Sequence, residues 1–283
     1  MGEKEYLNLC DKIIHKGESR DDRTGVGTYS LFGEKLEFDL SNSIPLFTTK
    51  FVPHKLVIKE LLWFISGSTD STGLPIWEGN TSREFLDNRG LTHLPEKDIG
   101  AGYGFQWRHF GAEYKDMNTD YTGQGVDQLK ECIRLIKEDP CSRRIVMSAW
   151  NPADLNKMAL PPCHMFLQFY VSEGKYLSSQ LYMRSCDTIL GLPFNVFSYA
   201  VLTYLVAHIC DLEPKKLTIV MGDTHVYKNH VKTFMEEQAD REPYDFPTLK
   251  IKNNSKNIDD YKLEDFEVIG YKKHSKVSYE MAV

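Results

Sequence analysis

No C-x-x-C pair occurs in this chain, although it holds six cysteines, Cys10, Cys132, Cys141, Cys163, Cys186 and Cys210. Their scatter excludes a zinc ribbon and a thioredoxin-type motif, and it points to free thiols in a reducing setting, the cytosol or the nucleus. The opening residues, MGEKEYLNLC, lack the apolar core of a signal peptide. Tyr6 stands where a myristoylation motif needs Ser or Thr. No apolar run approaches the length expected of a bilayer span, and there is neither an internal repeat nor a low-complexity tract. Positive charge is not in excess. The formal net charge is -6, which argues against a surface that coats nucleic acid but leaves room for a local basic pocket.

What is present is ordinary globular composition, 41% hydrophobic and 26% charged over 283 residues, enough for one large core. EYLNLCDKIIHKG has helical apolar spacing and a stop at Gly17. EKLEFDL alternates as a half-buried strand. PHKLVIKELLWFISG reads as an amphipathic helix between Pro53 and Gly67, with Glu60 beside its apolar stripe. TSREFLDN carries a short helix signal, and GVDQLKECIRLIKEDP a helix stopped by Pro140. RRIVMSAW and MFLQFYVSEGKYLSSQLYMRS read as three strands, the last two joined by a tight turn at Glu173–Gly174. FNVFSYAVLTYLVAHICDL is apolar nearly all round, the mark of a buried helix. KLTIVMGDTHVY reads as a strand running into a turn, and TLKIK and FEVIGY as two late strands. Strands come in consecutive runs and helices in isolated blocks, without regular βαβ alternation. The expectation is an α+β fold in a single domain over residues 1–283.

Several side chains are candidates for chemistry. In MALPPCH, two prolines fix two φ angles directly before Cys163. The thiol is either a small buried hydrophobe or a nucleophile held in place, and a nucleophile needs nearby positive charge. Arg23 lies in a glycine-containing loop, Arg143 and Arg144 are adjacent at the start of a strand, and Arg184 precedes Ser185. Each is a surface ion-pair partner or, taken together, part of a phosphate site. On a strand Arg143 and Arg144 point to opposite faces. Asn195 is a helix N-cap or an amide that matches the carbonyl and N–H of a uracil edge. His225 and Tyr227 face one side of an extended stretch, as a core pair or as contacts to a sugar hydroxyl.

Taken in order, DDRTG, YGFQWRHFGAEY, GQGVDQL, ALPPCH, QFYV, YMRSCD, LGLPFN, SYAVLTYLVAH, GDTHVYKNH and the final EMAV resemble thymidylate synthase over essentially the whole chain. The likeness is to the monofunctional eukaryotic form, with nothing like a fused dihydrofolate reductase domain. It implies a large mixed β-sheet flanked by helices, with sheets packed back to back in a homodimer. It also implies conversion of dUMP and 5,10-methylenetetrahydrofolate to dTMP and dihydrofolate. The folate serves as carbon donor and reductant, with no metal, DNA or membrane partner.

By the same resemblance Cys163 adds to carbon 6 of the pyrimidine. Arg23, Arg184 and Ser185 hold the phosphate within one subunit, and Arg143 and Arg144 reach it from the other. Asn195 reads uracil, and His225 and Tyr227 contact the ribose. Asp187 bonds the pterin and Glu60 organises proton transfers at the carbon 4 oxygen. Tyr103 assists removal of the carbon 5 proton, in one network with His164. Ile76, Trp77, Asn80, Leu190, Gly191 and Phe194 line the folate pocket, and Ala282 and Val283 close over it. The chain departs from the usual pattern at Met183, where Gln is common, and at Ala101–Gly102, where Pro and Val are. Phe51 and Ser275 are further departures, replacing a usual cation and a usual Pro. Two alternatives share much of this pattern: a dUMP hydroxymethylase, which lets water capture the one-carbon unit, and an inactive nucleotide-binding homologue. A cytosine-directed enzyme is expected to carry Asp at position 195.

Overall fold

Six strands make the central sheet: β1 (Glu18–Arg20), β2 (Thr28–Asp39), β3 (Val146–Ser148), β4 (His164–Ser172), β5 (Tyr176–Asp187) and β6 (Glu213–Tyr227). The computed structural model describes residues 2–22 and 24–280. Within it the strand order is β1-β2-β6-β5-β4-β3. Every neighbouring pair is antiparallel except β5 and β6, which run parallel. A parallel pair needs a crossover, and α6 (Leu192–Ile209) supplies it. The one βαβ unit is thus embedded in an otherwise antiparallel sheet. The mixed sheet with flanking helices is the α+β architecture expected from the sequence.

Alternation explains which sheet face is covered. Leu177, Leu181 and Met183 of β5 and Leu217, Ile219 and Met221 of β6 are buried, and α6 packs against both strands. Fully burying such a side chain stabilises the fold by about 1.5–3 kcal/mol. The other face stays open. Tyr170 is 65% exposed on it, and a shallow concavity of about 840 Å³ is lined there by Glu37, Gln168, Tyr170, Gln180 and Lys216. α6 is long and apolar enough to cross a membrane by length and composition, contrary to the reading that no run is, but 78% of it is buried within the fold. Its apolar character on all sides serves a core that surrounds it.

α1 (Glu3–Lys16) and α2 (His54–Ser66) fall where their patterns place them. α2 follows Pro53 and ends at Gly67, whose φ of 75° is the left-handed cap conformation. Glu3 of α1 is buried, and its carboxylate accepts four hydrogen bonds, from the N–H and hydroxyl of Thr48 and of Thr49, at 2.6–2.7 Å. α3 (Arg83–Asn88), α5 (Gln128–Glu138) and α7 (Lys228–Glu237) lie at the periphery. The turn between β4 and β5 has positive φ at both central residues, 57° at Glu173 and 61° at Gly174, which suits the twist of a hairpin. TLKIK and FEVIGY become β7 (Thr248–Ile251) and β8 (Phe266–Ile269), paired with each other in a separate small sheet.

Three local readings change. GDTHVY is not a turn: β6 continues unbroken to Tyr227 and α7 starts at the next residue. RRIVMSAW contributes only three strand residues, so Arg143 and Arg144 precede β3 rather than alternate along it. YGFQWRH, given no element from sequence, forms α4 (Tyr103–His109). Its aromatics are buried nearly all round, so no single-face periodicity announces it.

Candidate active site

The C-terminal ends of the parallel pair β5 and β6 lie side by side, and β4, antiparallel to β5, begins at the same edge. Ligands in such sheets gather beyond the carboxyl ends of the parallel strands. Here that edge collects Cys163, just before β4, and His164 from β4, Arg184, Ser185 and Asp187 from β5, and His225 and Tyr227 from β6. In register, Ser185 faces Asp223 and Asp187 faces His225. The strands approach closely because position 222 is glycine. A Cβ there would stand 2.9 Å from the Tyr182 hydroxyl oxygen and 3.0 Å from the Arg184 carbonyl oxygen.

Cys163 is fixed by its neighbours on both sides. The Arg184 amide donates to the Cys163 carbonyl at 3.0 Å, and the Cys163 amide donates to the Tyr103 hydroxyl oxygen at 3.0 Å. The Arg184 guanidinium donates to the carbonyls of Pro162 and Pro161, each at 2.9 Å, and its Nη2 lies 3.9 Å from the Cys163 Sγ. Trp150 stacks under that guanidinium, 5.3 Å from ring centroid to Cζ. A fixed cation beside the sulfur favours its thiolate. The double proline is therefore a platform in the literal sense: it offers two carbonyls and no amides, and one arginine takes both.

Tyr103, which holds the Cys163 amide, belongs to a cluster of packed aromatic rings. Tyr103 stacks on His164 at 4.4 Å and on Phe64 at 4.9 Å, and Trp77 meets Tyr103 edge-on at 5.8 Å. α2 and α4 come this close because Gly104 has no side chain: a Cβ there would lie 2.6 Å from the Phe64 carbonyl oxygen. Burial holds the Tyr103 hydroxyl well above the ordinary phenol range. It pushes His164 down to about 3, and the His164 Nδ1 pairs with the Tyr199 hydroxyl at 2.7 Å. Glu60 projects from α2 and accepts from the Trp77 indole at 2.8 Å. Although the residue keeps partial solvent access, desolvation of its carboxyl raises it to about 7, against a smaller opposing effect of the Trp77 bond. The aromatic cluster is thus joined to a cysteine beside a cation through Tyr103, and to a carboxyl that exchanges its proton near neutral pH through Trp77.

The remaining polar groups show which faces are free for a ligand. Asn195 is not the N-cap of α6, a position held by Gly191. It sits in the first turn, its amide N–H bonded to the Gly191 carbonyl at 3.2 Å. Its side-chain amide makes no hydrogen bond among the described residues, so it does not cap the helix. Asp187 uses one carboxylate oxygen to accept from the amides of Ile189 and Leu190, at 3.2 and 3.0 Å. His225 pairs its Nδ1 with Asp223 at 3.1 Å, leaving Nε2 available. Asp223 is held down at about 2, first by His225, and it also binds Ser30 and Arg20. Ile76, Asn80, Leu190, Gly191 and Phe194 are buried or half-buried, Ile76 and Phe194 against the main core.

Not every expected residue joins this cluster. Arg143 and Arg144 are exposed, and neither side chain makes an ion pair or hydrogen bond with a described residue. Arg23, Ala282 and Val283 lie outside the described residues. Sequence reasoning passed over Lys50, Trp150, Tyr199 and Asp223. Lys50 is buried, donates to the Ile189 carbonyl at 2.5 Å and is lowered to about 8 by desolvation, with Asp187 opposing. A single lysine inside the apolar run PLFTTKFV was the available signal. Among the described residues no cluster of metal-ligating side chains occurs.

A family model described as thymidylate synthase matches residues 4–283. A bifunctional dihydrofolate reductase-thymidylate synthase of Paramecium tetraurelia is 54% identical, over 99% of this chain and 61% of its own length. The Zea mays protein of the same description is 54% identical over 99% of this chain and 54% of its own. The chain thus spans little more than half the length of these bifunctional relatives. A thymidylate synthase of Candida albicans is 52% identical, over 99% of this chain and 98% of its own length.

Proposed function

The chain belongs to the thymidylate synthase family, and we propose that it carries out the reductive methylation of dUMP to dTMP by 5,10-methylenetetrahydrofolate. The observation that carries the reading is the Arg184 guanidinium 3.9 Å from the Cys163 sulfur, on a platform of two proline carbonyls. The thiolate adds to carbon 6 of the pyrimidine, a bond formed as the carbon 5–carbon 6 double bond opens toward the carbon 4 oxygen. Asn195, with its amide uncommitted, pairs with the uracil edge. Arg184 and Ser185 hold the phosphate. His225, oriented by Asp223, and Tyr227 hold the ribose.

Glu60 manages the proton at the carbon 4 oxygen, a task suited to a group near 7. Tyr103 keeps its proton, since burial raises it, and so assists removal of the carbon 5 proton as a phenol acting through water rather than as a phenolate. His164 orients Tyr103 by stacking. The folate supplies the one-carbon unit and the hydride. The residues present suit it: Asp187 has a carboxylate oxygen uncommitted among the described residues, Trp77 offers an indole, and Ile76, Asn80, Leu190, Gly191 and Phe194 form a wall. Ala282 and Val283 complete the enclosure in this reading.

The same reading makes the working unit a homodimer, with sheets back to back and Arg143 and Arg144 reaching the phosphate across the interface. An open sheet face with exposed Tyr170 and two arginines unpaired within the described chain supports it. Six free thiols support a reducing compartment, the cytosol or nucleus. The test is incubation with dUMP and methylenetetrahydrofolate, following dihydrofolate absorbance. Wild type releases dihydrofolate in step with dTMP, and Cys163→Ser loses turnover by about four orders of magnitude or more. Product without dihydrofolate favours the hydroxymethylase, binding without turnover favours the inactive homologue, and an active serine variant ends the covalent mechanism.

A further inference from the structure

His230 lies in the first turn of α7, directly after the strand that carries His225 and Tyr227. It is fully buried. Its Nε2 is 2.6 Å from the carbonyl oxygen of Glu280, the last described residue of the C-terminal tail. A carbonyl can only accept, so Nε2 carries the proton in this bond. Nδ1 is also buried and has no hydrogen-bond partner among the described residues, so the ring is committed to the tail through Nε2 alone. The ring also meets two tyrosines in edge-type contacts, Tyr227 at 5.6 Å and Tyr279 at 5.2 Å. Tyr279 in turn donates its hydroxyl to Gln238 at 2.7 Å and lies 5.0 Å under the Lys50 ammonium.

We propose that His230 is a positioning residue that joins the ribose-reading end of β6 to the C-terminal tail, setting the tail for the folate through its bond to the Glu280 carbonyl. This rests on the dUMP and folate reading above. The ring packs against Tyr227 and contributes one directional bond to the tail backbone, beside the Tyr279 hydroxyl's bond to Gln238. Its loss leaves the nucleotide contacts of β5 and β6 in place while releasing the Glu280 carbonyl. The signature is therefore a separation of the two substrates, which a general structural defect does not produce.

Two variants of the full-length protein divide ring shape from hydrogen bonding. His230→Phe keeps a ring between the tyrosines and removes the donor, whereas His230→Gln keeps a side-chain N–H near the Nε2 position. Binding of dUMP is measured by calorimetry, and KM for methylenetetrahydrofolate and kcat by dihydrofolate absorbance. We expect the Phe variant to raise the folate KM or lower kcat about tenfold, with dUMP affinity within threefold of wild type, and the Gln variant to recover most of the loss. Equal losses for both substrates, equal defects in both variants, or no defect in the Phe variant overturns the proposal. Should the Phe variant not fold, imidazole nitrogen NMR of the wild type decides. A proton on Nε2 supports the tether, and a proton on Nδ1 with bare Nε2 overturns it. A wild type that never turns dUMP over removes the underlying reading, and the inference with it.

Discussion

Glu60→Gln separates the charge of the buried carboxyl from its shape, and its effect on stability has a defined dependence on pH. Glu60 rises from 4.5 to about 7 in the folded protein, chiefly by desolvation. At about 1.4 kcal/mol per pH unit this corresponds to roughly 3 kcal/mol, and partial solvent access at Glu60 brings the expectation to about 2–3 kcal/mol. Below pH 4.5 the folded and unfolded chains both hold the proton, so the carboxyl costs nothing. As pH rises from 4.5 to about 7 the unfolded chain releases its proton and the folded one keeps it, so the stability that the protonated group preserves is progressively lost. Glutamine accepts from Trp77 as the acid does and never ionises. His164 has the opposite slope: held down from 6.5 to about 3 by burial, it takes up a proton first in the unfolded chain, so stability is lost as pH falls. Between pH 4.5 and 6.5 the two contributions offset one another, and the wild-type profile alone hides both. The difference between variant and wild type isolates Glu60. Urea denaturation at fixed protein concentration is expected to give equal stabilities near pH 4.5 and a variant more stable by about 2–3 kcal/mol at pH 8. Turnover moves the other way, falling about 10²–10⁴-fold, because the proton exchange is lost. A difference that is flat with pH, or larger at pH 5 than at pH 8, refutes the assignment of the shift to burial of this carboxyl.

Arg184→Met removes both proline carbonyl bonds and the charge beside Cys163, so alkylation of that thiol by iodoacetamide at neutral pH should slow about tenfold or more; an unchanged rate means the guanidinium does not govern the thiol. Glu3→Ala leaves two buried amides and two hydroxyls without their acceptor and should cost about 3–5 kcal/mol, read as a fall of roughly 10 °C in Tm; a loss below about 1 kcal/mol refutes the role given to that carboxylate. If Arg143 and Arg144 act across a dimer, inactive Cys163→Ala and inactive Arg143→Ala/Arg144→Ala chains should complement when dissociated and reassociated together, recovering about a quarter of wild-type activity. No recovery on mixing, with heterodimers demonstrated, places the arginines in their own subunit or outside the site.

The legibility of the sequence followed the physics of each signal. α1, α2 and α5 each bury one face, so their 3.6-residue period and their stops at Gly17, Gly67 and Pro140 were visible. α4 buries Tyr103, Phe105, Gln106 and Trp107 together, which erases the period, and its close approach to α2 depends on Gly104, whose purpose appears only when Phe64 is beside it. The β6 end was misread because GD carries turn chemistry, yet Gly222 is there for close strand packing and Asp223 for pairing with His225, Ser30 and Arg20. For the site, Cys163 alone had two readings. Its partners Arg184 and Tyr103 come from β5 and α4, and long-range proximity of that kind is not written in local spacing. The family resemblance supplied it, and the geometry supplied the reason: one edge of the sheet where β4 starts and β5 and β6 end.

The same geometry bears on Met183, the departure that precedes Arg184 and pairs in register with His164. Successive residues of a strand point to opposite faces. Met183 is 2% exposed and turned into the core, in register with His164 on one side and Met221 on the other. Arg184, the next residue, is turned toward the thiol and the proline carbonyls. A methionine at 183 therefore acts on the core side of β5. Among the described residues the buried side-chain atoms left without partners belong to Tyr6, His54, Trp63, Arg83, Ser172 and His230, none of them in register with position 183. The side chain next to Arg184 thus packs in the core where an amide would seek hydrogen bonds, and no residue in register with it among those described is left without a partner. The hold of Arg184 on Cys163 rests on backbone carbonyls that this exchange does not touch.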